Sequence, residues 1–372
     1  MKSSRLFTNN AILVCAICVV ISFLSQILKI GSVANLAYAF SLIFVCVCYF
    51  LSGSSSKIML FLIFIVTVAV TMNGISNIDS DYVLHALIMI CTFICLEVGA
   101  FVNISLKNYK HISIIFLLTA LLVLALYYVG PLKNSYFKDT GAICLNLSNP
   151  NATGLWLVCF FALLFYCGLV YKKGYRVIFF LAALGVIPII IATNSRNSFL
   201  ACVFLVAGVI FTKLFKIKKA PNWVLAIMAV LPLIVFAFYM FVIVENMEFW
   251  ESILPLESFD KGIDSRRGVW RGVLNNFWDC FLIGDYPKYF NSQQHNSLLT
   301  IYCRFGVFAT IAACILIYRA LKALQERTSF YAILSLSAIL FTGCFEASVF
   351  TGVAGLYLML LLVPSCASVE QI

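Results

Sequence analysis

The side chains with the most chemistry on this chain are Arg196, the trio Arg266, Arg267 and Arg271, and His295. A guanidinium is always charged and presents a planar fork of donors that matches two phosphate oxygens at once. An imidazole is the side chain best able to take a proton near neutral pH. Side by side, the two types can hold an anionic leaving group while a base sharpens an attacking hydroxyl. Polar residues accompany them: Asn296 directly after His295, and Asn149 and Asn151 around Pro150. Each has a plainer reading. Asn149 can cap the helix that starts near Ala152, Arg196 can snorkel to headgroups, and a single histidine is more often structural than catalytic.

The elements that must position these groups are membrane helices. The chain is 63% apolar and only 11% charged, with a mean hydropathy of +1.04, which excludes a water-soluble globule. Twelve apolar runs are long enough to cross about 30 Å of hydrocarbon. They lie near 6–28, 33–52, 58–74, 82–105, 111–130, 152–171, 175–193, 197–215, 222–244, 297–318, 329–346 and 349–366. They are continuous rather than alternating, so the pattern predicts helices and not barrel strands. The expected fold is an all-α integral membrane protein of about 12 transmembrane helices, a single polytopic unit over 1–372. The first run lacks a small-residue cleavage signature and reads as a retained helix.

Lys and Arg set the orientation. With the N-terminus inside, the inner connections collect fifteen, from Lys2 to Arg327, against four in the short outer connections: Lys29, Lys133, Lys138 and Arg196. That places both termini in the cytoplasm and one large loop, 245–296, outside between the ninth and tenth spans. The net charge of +10 is then a topology signal, with no call for nucleic acid.

Within the large loop, an acidic shoulder from Glu245 to Asp260 precedes the basic stretch at Lys261, Arg266, Arg267 and Arg271. A basic mouth at the outer leaflet attracts anionic headgroups. From Arg266 to Leu282 apolar residues recur every four positions, predicting an amphipathic helix capped by Asp264 or Ser265 and stopped at Gly284. Its two tryptophans suit the membrane interface. Other polar residues carry less. Asp79-x-Asp81 suits a hard cation but equally a helix start. Glu97 lies in mid-span with no evident partner, and His85 and His111 sit near helix ends. Most of the fifteen cysteines lie inside apolar runs as small hydrophobes. Cys144 and Cys280 lie in outer connections, where a disulfide can form.

Several of these elements together resemble the bacterial O-antigen polymerase and O-antigen ligase superfamily. They are the Asn149-Pro150-Asn151 turn, the Ser195-Arg196 turn, Arg266-x-x-x-Trp270 opening a helix that ends in Ile283-Gly284, and His295-Asn296-x-x-Leu299 with Gly306 beyond. The resemblance covers about 150–306. It implies a glycosyltransferase C-like fold in the inner (plasma) membrane and a metal-independent, inverting glycosyl transfer on its outer face. The implied donor is an undecaprenyl-diphosphate-linked oligosaccharide, with no cofactor. Arg196 and Arg266 would bind the diphosphate and His295 would stand beside the acceptor hydroxyl. Arg267, Arg271, Asn296, Asn149, Asn151 and Trp270 would line the substrate. The doubled Arg266-Arg267 leaves both open as the diphosphate contact. A polymerase of O-antigen or capsule repeat units is the expected activity, working with a chain-length regulator and a flippase of the same pathway. A ligase to lipid A-core shares the donor chemistry, a lipid-linked oligosaccharide flippase is the alternative from another class, and a metal-dependent transferase using Asp79 and Asp81 is a further option.

Overall fold

The computed structural model describes residues 2–52, 56–74, 80–101, 105–137, 141–147, 149–246, 260–289, 294–327 and 330–351. Among them the regular structure is helical, apart from one isolated bridge between Tyr136 and Ile143. The main helices are α1 (Lys2–Ile27), α2 (Gly31–Ser52), α3 (Lys57–Gly74), α4 (Ser80–Phe101), α5 (Leu106–Tyr128), α6 (Pro150–Val170), α7 (Lys173–Ala192), α8 (Arg196–Leu214), α9 (Asn222–Phe238), α10 (Asp260–Asn275), α11 (Ser297–Arg327) and α12 (Phe330–Thr342).

Seven of these helices are long and apolar enough to cross a membrane, and four shorter ones, within α2, α3, α4 and α12, are apolar along their length. This is a multi-pass membrane protein. Those eleven segments coincide with eleven of the twelve apolar runs; the last, 349–366, lies almost wholly outside the described residues. Large apolar side chains such as Phe40, Phe64, Leu181 and Phe211 stand exposed along the helices, as expected where hydrocarbon is the solvent.

The core forms around α6. This helix is apolar on every side, and such a helix is stable only when enclosed. It is wrapped by α5, α7, α8 and α12, and Trp156 stacks on Phe23 of α1 while Phe160 packs against the same ring at a tilt. Its start is set locally: Asn149 Oδ1 accepts from the Ala152 amide at 2.7 Å and Pro150 occupies the first turn, two strong N-terminal signals.

The other organising helix is α11, which packs on α3, α4, α9 and α12. It is broken at Gly306, whose φ of 84° and ψ of −178° are not helical. The break is filled by the segment that follows α10. The Asp285 amide donates to the Cys303 carbonyl and the Val307 amide to the Phe281 carbonyl, both at 2.8 Å. Gly284 (φ 73°) and Gly306 face this crossing, where a Cβ on either would drive into the opposing backbone. Ile283-Gly284 and Gly306 are therefore two halves of one interlock, which fastens the large loop to a membrane helix.

Glu97, without an evident partner in the sequence, has one across the bundle: its Oε1 lies 3.6 Å from Nε of Arg319 on α11. Cys144 and Cys280 are both free thiols. Cys144 Sγ donates to the Ser135 carbonyl at 3.5 Å, while Cys280 shares a hydrogen bond with Cys303. The possible Cys144–Cys280 disulfide is thus replaced by two separate local pairings.

Candidate functional site

The loop helix α10 is amphipathic but displaced from its expected bounds. It begins at Asp260, so Asp264 and Ser265 lie inside it, and it ends at Asn275 rather than near Gly284. The early stop has a local cause. Asn276 takes the Gly272 carbonyl with its side-chain amide at 2.6 Å as well as with its backbone, a side-chain competition that favours helix ends. The chain then turns, laying Phe277 on Tyr302 of α11 at 5.0 Å between centroids. The Tyr302 hydroxyl donates to the Phe277 carbonyl.

Trp270 does not face the membrane interface. It is fully buried, edge-on to Phe236 and Tyr239 of the α9 segment, and its Nε1 donates to the Gln294 carbonyl at 2.5 Å. Trp278, by contrast, is exposed. Asn296 is also fully buried. Its amide donates to the carbonyls of Pro232 (2.7 Å) and Cys344 (3.2 Å), and its Oδ1 accepts from the Leu299 amide to cap α11. Ser297 adds bonds from its amide and hydroxyl to the Gly343 carbonyl. Gln294 and Asn296 therefore clamp the backbone on either side of His295.

His295 itself is half-buried and held at φ 49°, a left-handed conformation that costs a non-glycine residue about 1 kcal/mol or more. A strained residue between two buried anchors is a displayed residue. Beside it stands Arg266, one turn before Trp270 on α10, with its guanidinium over the Phe345 ring at 5.6 Å. Phe345 in turn packs on Phe341, and Phe341 stacks on Phe204 of α8. The fourth member is Glu346, in the turn beyond α12. The Arg266 Nε and Glu346 Oε1 are both buried, and among the described residues neither has a hydrogen-bond partner. Buried polar atoms are almost always paired, so these two orphans, which act on each other electrostatically, make the cluster the candidate site.

The electrostatics follow from that enclosure. Burial pushes Glu346 up to about 7, with Arg266 pulling the other way. Burial lowers Arg266 below the ordinary arginine value, opposed by Glu346 and Tyr239. His295 is lowered below 6.5 by burial first and by Arg266 second. At neutral pH the imidazole is therefore unprotonated with a lone pair to offer, and the arginine beside it remains cationic.

Glu346 makes one property testable here. Its carboxylate offsets Arg266, and it gains a proton as the pH falls through about 7, so the cluster becomes more positive on acidification. Affinity for inorganic pyrophosphate should rise by about tenfold at most from roughly pH 8 to roughly pH 6, one pKa unit of coupling being worth that factor. Glu346→Gln should bind more tightly at the alkaline end and change affinity less steeply in favour of acid than the wild type, the slope that remains being that of pyrophosphate's own ionisation and His295, in calorimetric titrations at several pH values. An identical slope in the variant would remove Glu346 from the site.

An apolar cavity of about 460 Å³ runs between α9, α10 and α11, walled by Leu233, Phe236, Val273, Phe277, Leu299 and Ile311 among others. Two of its walls meet the residues that anchor the polar groups: Phe236 touches Trp270, and the Leu299 amide donates to Asn296 Oδ1.

The remaining expected site residues divide. Arg267 is half-buried on α10 and Arg271 is exposed. Asn149 is engaged as a helix cap and Asn151 is half-buried in the first turn of α6. Arg196 is exposed at the start of α8 and lines a different cavity, together with Asn194 and Phe199; nothing from α10 or from 294–297 forms its walls. The acidic shoulder falls largely on 247–259, and Asp79 also lies outside the described residues, as does the side chain of Asp81. Among the described residues no three His, Cys, Asp or Glu side chains gather as a metal site. Glu346 escaped the sequence reading because it closes an apolar run 51 positions after His295; its signal was an acidic residue at the membrane boundary. No protein-family model, curated protein or solved structure matches the chain.

Proposed function

We propose that this protein is a metal-independent, inverting glycosyltransferase that polymerises O-antigen or capsular repeat units on the outer face of the inner membrane, with both termini in the cytoplasm. The glycan passes from undecaprenyl diphosphate to a sugar hydroxyl of another lipid-linked unit. The observation that carries this reading is the half-buried cluster of Arg266, His295 and Glu346, with an apolar cavity between α9, α10 and α11 whose wall Phe236 touches Trp270, one turn after Arg266. A lipid diphosphate has that same division of charge and hydrocarbon.

The reaction assigns each group one task. His295 takes the proton from the acceptor hydroxyl, an effect typically worth about 10²–10⁴-fold. The hydroxyl oxygen bonds to the anomeric carbon as the bond to the diphosphate breaks, with inversion at that carbon. The leaving diphosphate keeps the electron pair, and Arg266 meets the growing charge. The apolar cavity holds the start of the polyprenyl tail. Glu346 restrains Arg266 until the anion arrives.

The Glu97–Arg319 pair weighs against a flippase, since a carrier needs ionisable groups open along a path and this carboxylate is already matched by a guanidinium. The deciding experiment is deletion of the gene followed by analysis of the glycans. A polymerase leaves a single repeat unit on the acceptor core; polymer retained on undecaprenyl would replace this reading with the ligase, and unflipped units in the cytoplasmic leaflet would replace it with the flippase. A chain-length regulator and a flippase of the same pathway are the expected partners.

A further inference from the structure

Cys280 and Cys303 take no part in the chemistry assigned to Arg266 and His295. Both are fully buried free thiols, and a hydrogen bond joins them. Consecutive peptide units bring their backbones together: the Gly284 amide donates to the Cys280 carbonyl at 3.0 Å and the Asp285 amide to the Cys303 carbonyl at 2.8 Å. The two sulfurs thus belong to the two sides of the crossing where the segment after α10 meets α11. Cys280 is the one cysteine between 245 and 296. Charge marks the level of the pair in the bundle. Asp285 is half-buried, and Lys288 is exposed with its Nζ 2.7 Å from Asn276 Oδ1 and 3.9 Å from Asp279. Such groups belong to the polar margin of a membrane, not to its hydrocarbon.

A thiol reacts as its thiolate. The hydrogen bond from Cys303 holds Cys280 below the ordinary thiol value, against burial and the charge of Asp285, and Tyr289 and Lys288 act in the same direction as Cys303. Cys280 is therefore the attacking sulfur. Before the segment docks, its thiolate displaces one sulfur from the disulfide of a thiol oxidoreductase and forms a mixed disulfide. Once 281–285 closes on α11, the Cys303 thiolate attacks the Cys280 sulfur and expels the carrier's second thiolate. The chain loses two protons and two electrons, and the carrier's disulfide takes them up as a dithiol.

We infer that Cys280 and Cys303 form a disulfide, which locks the large loop to α11 and ties the geometry of the site to the oxidising poise of the outer compartment. The inference rests on the same outer-face placement of 245–296 as the proposed transferase. The bond closes a ring from 280 to 303 that contains Gln294, His295 and Asn296. Through its carbonyl, Gln294 holds Trp270 of α10, one turn after Arg266, so both proposed reactive side chains are tied to that ring. Reduction leaves the crossing held by its hydrogen bonds alone.

The test uses the full-length protein. Cells are quenched in acid and blocked with N-ethylmaleimide, so that no thiol reacts during handling, and peptide mass spectrometry should find the Cys280 and Cys303 peptides linked. Dithiothreitol should separate them. In protein purified in detergent without reductant, dithiothreitol should lower the melting temperature by about 5 °C, the usual worth of a disulfide in a chain of this size. The double variant Cys280→Ser, Cys303→Ser should show no such response. N-ethylmaleimide on both wild-type cysteines, a bond from Cys280 to any other cysteine, or a dithiothreitol shift that survives in the double variant would each overturn the inference. Asn275→Cys, at an exposed position of α10, reports the side of the membrane through an impermeant maleimide. Free Cys280 and Cys303 in a protein whose Asn275→Cys is labelled from outside would sink the disulfide and leave the transferase standing. A linked pair in a protein that transfers no glycan would sink the transferase and leave the disulfide.

Discussion

Arg266→Ala and His295→Ala are each expected to lower glycan transfer by at least about a hundredfold, the usual cost of losing a charge-stabilising donor or a general base. In a complemented deletion strain both should abolish long chains. Both proteins should still accumulate in the membrane, because the backbone around each residue is held by other groups. Trp270 holds its place through Phe236, Tyr239 and the Gln294 carbonyl, and the His295 backbone is gripped by its neighbours rather than by its imidazole. Arg266→Lys separates charge from geometry: a lysine keeps the cation but loses the two-pronged fork, so partial recovery would assign part of the effect to simple attraction. The histidine variant carries a further signature. His295 is held below 6.5, so wild-type activity should persist into mildly acid solution and fall only once the imidazole gains its proton. The residual activity of His295→Ala should lack that acid limb. Normal ladders from Arg196→Ala, Arg266→Ala and His295→Ala together would remove the site assignment.

The positions of the spans were legible because hydropathy depends on composition alone, and a run of twenty apolar residues has few other uses. Arg266, Trp270, His295 and Asn296 were legible as a group because all four lie within thirty residues around one polar loop. What each does was not. Asn296 reads as a sugar contact in one dimension and becomes a buried clamp in three, since Pro232 and Cys344, the sources of two carbonyls it satisfies, lie far from it in sequence. Trp270 similarly looks like an interface anchor until Phe236 and Tyr239 close over it. Glu346 and the Glu97–Arg319 pair were out of reach for the same reason: long-range pairing of charges leaves no periodic trace. The end of α10 was misjudged because apolar spacing continues through Phe277 and Phe281 after the helix has stopped, where those side chains serve the contact with α11.

Gly306→Ala is expected to have the largest effect on the protein itself. The residue sits at φ 84°, where a Cβ costs about 1–2 kcal/mol through the backbone alone, and the added methyl would meet the Leu282 carbonyl head-on. Overpacking of that kind adds about 1–3 kcal/mol. Relief requires the 281–285 segment to withdraw, which breaks the paired bonds from Asp285 to Cys303 and from Val307 to Phe281. Those bonds also hold α10, and with it Arg266, in register with the start of α11 and His295. The variant should therefore lose transfer and melt at lower temperature in detergent, and Gly284→Ala, whose Cβ would strike the Arg304 carbonyl from the other side, should reproduce both losses. Combining the two should cost less than the sum of the single effects, because either substitution alone already opens the same crossing. Two strictly additive losses would mean that the glycines act separately, and the large loop would then need another fastening to the membrane helices.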